Sequence, residues 1–375
     1  AKARYQDISG YFNAPFTHFV GDADTVLAST YGGASGSFFN GPGAGNPVTS
    51  ASLAAATGNP YVSEVAYFNT DLDDMSNFAS ELRASKSLAF EGSSLDLTAG
   101  YFLMNQKFVQ DWHWNRFLTS TDTNAALIDV NGFADNGILG YNQAFGWTGT
   151  NRNYDLEYQA RAPFVAGSWA LDNGLTIDGS VRFDTIEQTG TRTEGAGGAF
   201  DVDGDGIIDA PEMMVSLNTG QGGIANFEVD HTSFTLGANY LVSDTLSVFG
   251  RYSDDAAFNG ERQLFNSLNA GGGLVPGSEE TYVDETEQFE AGVKWQESSD
   301  AIPGQLDLYV TYFNAETKED NDEITTMTAL GNTYVSQGIE TEFKYGYGGL
   351  DLSGSVTFTD AEIDDSDTAP ANIGN

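Results

Sequence analysis

Residues 175–184, Leu175-Thr-Ile-Asp-Gly-Ser-Val-Arg-Phe-Asp184, alternate strictly between two kinds of side chain. In an extended chain successive side chains point to opposite faces. One face here is therefore apolar or small, with Leu175, Ile177, Gly179, Val181 and Phe183. The other face is polar, with Thr176, Asp178, Ser180, Arg182 and Asp184. A tight-turn sequence, Asp172-Asn173-Gly174, precedes the segment. The pattern therefore predicts a β-strand with one apolar and one polar face.

The same alternation recurs along the chain, and its spacing is informative. The predicted strands are 2–10, 75–86, 95–107, 152–170, 175–187, 229–242, 246–256, 285–297, 304–316, 333–345 and 350–362. The gaps between them alternate in length. Short gaps fall at 87–94, 171–174, 243–245, 298–303 and 346–349, and long gaps fall at 11–74, 108–151, 188–228, 257–284 and 317–332. A meander with short turns at one rim and long loops at the other produces this order.

This gap pattern predicts an all-β fold, a transmembrane antiparallel up-and-down β-barrel with long extracellular loops. A soluble β-sandwich also alternates, but its strands are usually about five or six residues long. The strands predicted here reach about ten residues or more, which suffices to cross a bilayer when tilted. We therefore expect residues 1–375 to form one partial barrel domain. Six side chains are expected to face outward to lipid: Leu175, Val181, Phe289, Val293, Leu308 and Val356.

Composition excludes several functional classes. The 375 residues carry 15 Lys and Arg against 54 Asp and Glu, a formal charge of −39, whereas nucleic-acid binding needs a basic footprint. There is no cysteine, no run of about eighteen apolar residues and no GxSxG, HExxH or phosphate-cradling motif. The sequence therefore predicts neither an enzyme nor a nucleic-acid partner. Its expected surroundings are outer-membrane lipid and lipopolysaccharide.

Several segments resemble the barrel of TonB-dependent receptors. They are Leu246-Ser-Val-Phe-Gly-Arg-Tyr-Ser253, Glu287-Gln-Phe-Glu-Ala-Gly-Val-Lys294, Leu306-Asp-Leu-Tyr-Val-Thr-Tyr-Phe313, Gly338-Ile-Glu-Thr-Glu-Phe343 and Leu352-Ser-Gly-Ser-Val-Thr-Phe-Thr-Asp-Ala361, with Ser80-Glu-Leu-Arg83 as an earlier strand. The resemblance covers roughly 75–362, in the order of the family. It implies the outer membrane of a Gram-negative bacterium and coupling to the TonB complex through a plug domain.

This resemblance also implies that the sequence is a barrel segment. Barrels of the family have about 22 strands, twice the number predicted here. No plug or energy-coupling box is visible, and Asn375 is not the aromatic residue that usually ends the last strand.

The sharpest local motif lies in the predicted loop 188–228. Asp201-Val-Asp-Gly-Asp-Gly-Ile-Ile-Asp-Ala-Pro-Glu212 matches an EF-hand loop at every ligand position. The expected Ca²⁺ ligands are Asp201, Asp203, Asp205, the Ile207 carbonyl, Asp209 and a bidentate Glu212, with the sharp turn at Gly206. We expect a structural site for Ca²⁺ in an extracellular loop. The alternative is a solvated acidic loop.

A second candidate is Trp112-His113-Trp114, in the predicted loop 108–151. The rings could stack on a solute, and His113 could bind haem or a metal. Alternatively, these aromatics pack the loops or form the interfacial girdle.

Three functions remain open on the sequence alone: a TonB-dependent importer of an iron chelate, a vitamin or a glycan; a passive porin or channel; and a calcium-stabilised surface or adhesion protein. The first is favoured by the ordered series of strand motifs.

Overall fold

A computed structural model describes residues 1–41, 43–144, 153–193, 197–216, 223–260, 268–297, 302–323, 328–367 and 373–374. Within these ranges the chain forms eleven long strands. They are β1 (Lys2–Gln6 and Gly10–Asp22), β2 (Tyr61–Asp74 and Asn77–Phe90), β3 (Ser93–Ser120), β4 (Asn153–Leu171), β5 (Leu175–Thr193), β6 (Ile224–Ser243), β7 (Leu246–Phe258), β8 (Val283–Glu297), β9 (Gln305–Glu323), β10 (Thr328–Tyr347) and β11 (Leu350–Ser366). No helix among the described residues is long and apolar enough to cross a membrane.

Each strand pairs antiparallel with its neighbours in sequence, from β1 with β2 to β10 with β11. The register places Val181 beside Val165 and Phe234, and Val293 beside Val248 and Val310. All six side chains predicted to face lipid lie on this one face of the sheet, and none is buried. The predicted antiparallel wall with one apolar face is thereby confirmed, and the contact of this face with lipid stays a prediction. The opposite, charged face lines the lumen.

The predicted strand boundaries were wrong on the long-loop side. The predicted loop 11–74 contains residues 11–22 and Tyr61–Asp74, which instead extend β1 and β2, and β3 extends to Ser120 within the predicted loop 108–151. The predicted gap 317–332 shrinks to residues 324–327, which lie outside the described part. Above the lipid the outer face of the wall meets water and the lumen face packs against other segments of the chain, so the alternation imposed by lipid stops although the strand continues.

The change of environment is visible on β3. Its outward positions are Leu95, Leu97 and Leu103 at the lower end and Lys107, Asp111 and His113 at the upper end. Lys107 forms an ion pair with Asp155 of β4 on this outer face. The wall therefore leaves the lipid just above Leu103 and continues as a polar rim.

Two hydrophobic cores lie on the lumen face above the lipid. The first cap, defined as residues 23–60 and 121–144, contains helices α1 (Ala23–Ser29) and α2 (Ser50–Thr57), which the sequence analysis did not predict. Its apolar side chains, among them Val26, Leu53 and Ile128, pack against Val62 and Leu118 of the wall. A second core forms where the β7–β8 tip, defined as residues 255–260 and 281–285, packs against β4, β5 and β6.

Candidate extracellular site

The loop from Asp201 to Glu212 brings three carboxylates together. Asp201, Asp203 and Asp205 each offer an oxygen within 4.8 Å of the others. The two Asp201 oxygens accept from the backbone N–H groups of Gly204 and Gly206, at 2.7 and 3.0 Å. Gly206 has φ +87°, a left-handed conformation that glycine adopts without strain. The local fold is therefore a tight turn wound around the Asp201 side chain.

Glu212 binds the backbone of the same loop and does not join the three carboxylates. Its side chain is buried, and its Oε1 accepts from the backbone N–H of Val202 at 2.6 Å. Its Oε2 accepts from the backbone N–H of Asp209 at 3.2 Å. Neither Glu212 nor Asp209 belongs to the three-carboxylate cluster found among the described residues. The expected six ligands are thus brought into one loop, but only the first three carboxylates converge.

Negative charge accumulates around this loop. The pKa of Asp209 is raised, first by desolvation and then by the charges of Asp135, Asp205, Glu212 and Asp203. Asp135 belongs to the first cap, which the loop touches through the pairing of Val215 with Gln143. Asp135 was missed because its proximity arises from the fold, with no signal in the local sequence.

Trp112, His113 and Trp114 do not form one cluster, because they lie on a strand and alternate between its faces. Trp112 and Trp114 face the lumen, where Trp114 is buried and stacks on Phe68 with ring centroids 5.4 Å apart. Trp112 meets the edge of the same Phe68 ring at 5.9 Å. His113 faces outward, 3.3 Å from Asp111. The arrangement separates the histidine from the two indoles.

Glu64, which the sequence analysis did not single out, is the central polar group of this region. Its side chain is 1 % exposed and faces the lumen directly under the first cap. Arg116 donates to it from Nε at 2.8 Å and Nη2 at 2.6 Å, and the Tyr31 hydroxyl donates at 2.7 Å. His18 Nδ1 lies 3.1 Å away. Three segments of the chain therefore meet at one buried carboxylate.

The pKa values reflect this network. Desolvation acts to raise the pKa of Glu64, but the Arg116 charge and the hydrogen bonds from Tyr31, His18 and Arg116 outweigh it, so the pKa is lowered. Desolvation and the Glu64 charge raise the pKa of Tyr31. Glu64 is therefore ionised and Tyr31 is protonated at neutral pH.

Comparison with known proteins places the chain. The family model "TonB dependent receptor-like, beta-barrel" matches residues 5–375. No curated protein matches the sequence. Similar solved structures include the siderophore receptor PiuA from Acinetobacter baumannii, at 14 % identity and TM-score 0.48, covering 81 % of this chain and 44 % of that one. Another is the ferric citrate transporter FecA in the unliganded form, with 12 % sequence identity and a TM-score of 0.47. That match covers 81 % of this chain and 39 % of FecA. A third is the ferric yersiniabactin uptake receptor FyuA from Yersinia pestis, with 13 % sequence identity and a TM-score of 0.41. That match covers 82 % of this chain and 44 % of FyuA.

The chain thus spans less than half the length of these structures. The matched family consists of transport receptors, not enzymes, in the outer membrane of Gram-negative bacteria, and this is the location of the chain. Its strand order, its two-faced wall and the match over almost its whole length lead to one assignment: the chain belongs to the TonB-dependent receptor β-barrel family.

Proposed function

We propose that this chain forms about half of the wall, with its extracellular caps, of a receptor that imports a scarce solute. The observation that carries the proposal is the family match over residues 5–375. The candidate solutes are an iron chelate, a vitamin or a glycan. Energy would come from the inner membrane through the TonB complex acting on a plug domain, while outer-membrane lipid and lipopolysaccharide surround the apolar band.

The inward-packed caps support active import over passive flow. In a passive porin the lumen holds an open aqueous channel. Here the first cap and the β7–β8 tip both pack against the lumen face of the wall. A wall whose mouth is narrowed in this way fits a receptor that captures its solute before transport. A passive porin or channel remains the alternative.

Uptake measurements test the proposal. A strain lacking the whole protein is offered labelled ferric chelates, cobalamin and oligosaccharides, and the same panel is offered to a strain lacking TonB. We expect both strains to lose uptake of the same solute. Uptake that survives in the strain lacking TonB, but not in the strain lacking this protein, would identify a passive channel and contradict the proposal.

We further propose that the Asp201–Glu212 loop binds one structural Ca²⁺. A hard cation needs six to eight oxygen ligands, and three carboxylate oxygens lie within 4.8 Å of one another here. Asp201, Asp203 and Asp205 would hold the ion, with the Ile207 carbonyl, Asp209 and Glu212 completing the shell. The bound charge would offset the repulsion around Asp209. Mg²⁺ prefers a smaller octahedral shell, and a weak site of about 10⁻⁴–10⁻³ M would stay filled in extracellular calcium.

A calcium titration of the purified protein tests this site. We expect a single saturable event that Asp201→Ala and Glu212→Ala each weaken at least tenfold. Glu228→Ala is the control, because this exposed glutamate lies on β6, outside the loop. Equal titration curves for the wild type and both loop variants would contradict the proposal. So would the alternative outcome of a solvated acidic loop, in which no saturable event occurs.

A further inference from the structure

A cavity lies under the β7–β8 tip. The β6–β7 ladder ends at the pair Phe234 and Asp254, whereas the β5–β6 ladder continues up to Thr191 and Ile224. Beyond this fork the tip bends over the lumen face. The Phe258 ring lies 5.8 Å from the Tyr158 ring of β4, and the Tyr282 ring lies 4.7 Å from the Phe227 ring of β6. The space between the tip and the wall is partly open to solvent and measures about 410 Å³.

The two ends of this cavity differ in polarity. The apolar end is lined by Ile186, Val229, Phe258 and Val283. The polar end is lined by Ser180, Arg182, Asp184, His231, Ser233 and Thr235, with Asp230 and Asp255 beside them. A ligand that fills the space must therefore be amphipathic and small, because pockets for small molecules start at about 300 Å³.

The lining charges favour a cation. On the lumen side two carboxylates, those of Asp184 and Asp255, line the cavity with one guanidinium, Arg182. The Asp230 carboxylate lies on the outer face, where it accepts from the Thr185 hydroxyl at 2.6 Å. Arg182 is already committed, since its Nε and Nη2 donate to Asp184 at 2.7–2.9 Å. The Asp255 carboxylate has neither a hydrogen bond nor an ion pair with any described residue. One acidic group in the cavity is thus available to a ligand.

His231 does not neutralise this charge. Its Nε2 lies 3.5 Å from Asp254, and its Nδ1 lies 3.6 Å from Glu285. These two carboxylates are additional to those of Asp184 and Asp255, so four acidic groups lie in or beside the cavity. The local balance stays negative in either of its charge states.

A bare metal ion fits this cavity poorly. Among the described residues, the acidic and histidine groups that converge closely enough for one ion are Asp201, Asp203 and Asp205, far along the chain in another loop. The acidic groups under the β7–β8 tip are spread around a larger space. The half-buried Phe258 ring, which lines the apolar end, also suits the apolar body of an organic ligand.

We infer that the cavity under the β7–β8 tip binds a small amphipathic organic cation. Its ammonium group pairs with Asp255 at the polar end, and its apolar body lies among Ile186, Val229 and Phe258. This inference does not depend on solute import, because it concerns equilibrium binding to the wall.

Three probes of one shape test the inference on the protein purified in a nonionic detergent. Phenethylamine is a cation, 2-phenylethanol is neutral and 3-phenylpropionate is an anion. Isothermal titration calorimetry should show the amine binding at least tenfold more tightly than the alcohol, with no binding of the carboxylate. Equal affinity for amine and alcohol would overturn the cationic assignment. Absence of binding by all three probes would overturn the site itself.

Two variants locate the binding. Asp255→Asn should weaken the amine about tenfold and leave the alcohol unchanged, whereas Asp351→Asn, an acidic residue on β11 away from the cavity, should change neither. Val229→Trp should abolish binding by filling the apolar end, and Val248→Trp on the lipid face is its matched control. Unchanged amine affinity in both Asp255→Asn and Val229→Trp would overturn the proposed position.

Discussion

A single buried carboxylate connects the wall to the extracellular segments. Burial of an unpaired charge is costly, so Glu64 is compatible with the core only because Arg116, Tyr31 and His18 surround it. Arg116 also donates to the Gln143 side chain. Gln143 in turn pairs through its backbone with Val215, just after the loop that carries Asp201. Stability of the first cap should therefore depend on this residue more than on any exposed ion pair.

Glu64→Gln should destabilise the first cap by about 2–3 kcal/mol, because it leaves Arg116 without its buried counter-charge. Hydrogen exchange of residues 23–60 measures this loss as faster opening. Glu228→Gln, at an exposed site, should leave exchange unchanged. Equal exchange in the two variants would show that the ion pair does not hold the cap.

The pH dependence of the same cap has a defined sign. Because the Arg116 charge and the hydrogen bonds lower the folded pKa of Glu64 below the ordinary value of a glutamate, its contribution to stability is complete above that ordinary value. The contribution is lost as the pH falls through the lowered pKa. Exchange of residues 23–60 should be constant from neutral pH down to about 5 and should accelerate below it. A cap that loosens between pH 8 and 6 would point to a different controlling group.

Trp114, which is buried, and His113, which is partly exposed on the outer face, give an opposed pair of predictions. Trp114→Ala should cost about 3–5 kcal/mol, because it removes a large buried ring stacked on Phe68. His113→Ala should cost less than about 1 kcal/mol, because it breaks one ion pair on the outer face. Chemical unfolding of both variants decides between packing and ligand-binding roles, and a Trp114→Ala protein of wild-type stability would contradict the packing role.

Asp209 gives a prediction for the acidic loop. Its raised pKa means that its charge opposes the folded loop, so without calcium the loop should loosen as the pH rises through that pKa. Asp209→Asn should remove this dependence while weakening calcium affinity. Hydrogen exchange of residues 201–212 at several pH values, with and without calcium, checks both effects. A loop whose exchange is independent of pH in the wild type would contradict them.

At the scale of the element, the sequence predicted the membrane-embedded part of the wall well. The predicted strands 175–187 and 246–256 begin at the observed residues, Leu175 and Leu246, and 285–297 ends at Glu297, as observed. Alternation exists there because lipid and lumen select opposite side chains. The upper half of β2 and β3 gives no such signal, since neither face meets lipid.

The elements of the first cap have weaker signals in the sequence. Thr49 and Ser52 form a capping box at the start of α2, and Gly58 ends the helix at φ +86°, so this short helix was recognisable in principle. The hydrogen bond from Tyr31 to Glu64 could not be predicted from the sequence, because the two residues are 33 positions apart and only the fold brings them together.

Lipid-facing and lumen-facing neighbours on β5 should respond differently to charge. Val181→Arg places a guanidinium in the hydrocarbon and should cost about 2–4 kcal/mol, whereas Ser180→Arg faces the charged lumen and should cost little. Reversible unfolding by denaturant in the presence of lipid or detergent measures both. Equal destabilisation of the two variants would contradict the assigned faces.

At the scale of the whole molecule, the chain divides into an apolar band, a polar rim and two hydrophobic cores. The apolar band of the outer face fixes the wall in lipid, the polar rim above Leu103 carries the strands out of it, and both cores turn inward over the lumen. The excess of acidic residues, −39 in all, is compatible with this location because most of it lies in water or in the lumen. The two cores thereby narrow the space on the lumen face of the wall.

The central claim is that one face of this sheet meets lipid and the other meets water. Because the chain contains no cysteine, single cysteines can be placed at each position from 175 to 184 and spin-labelled without further changes. In reconstituted membranes, collision with oxygen should peak at 177, 181 and 183, and collision with a water-soluble nickel reagent should peak at 178, 182 and 184. A profile without this two-residue period, or with its phase reversed, would contradict the account.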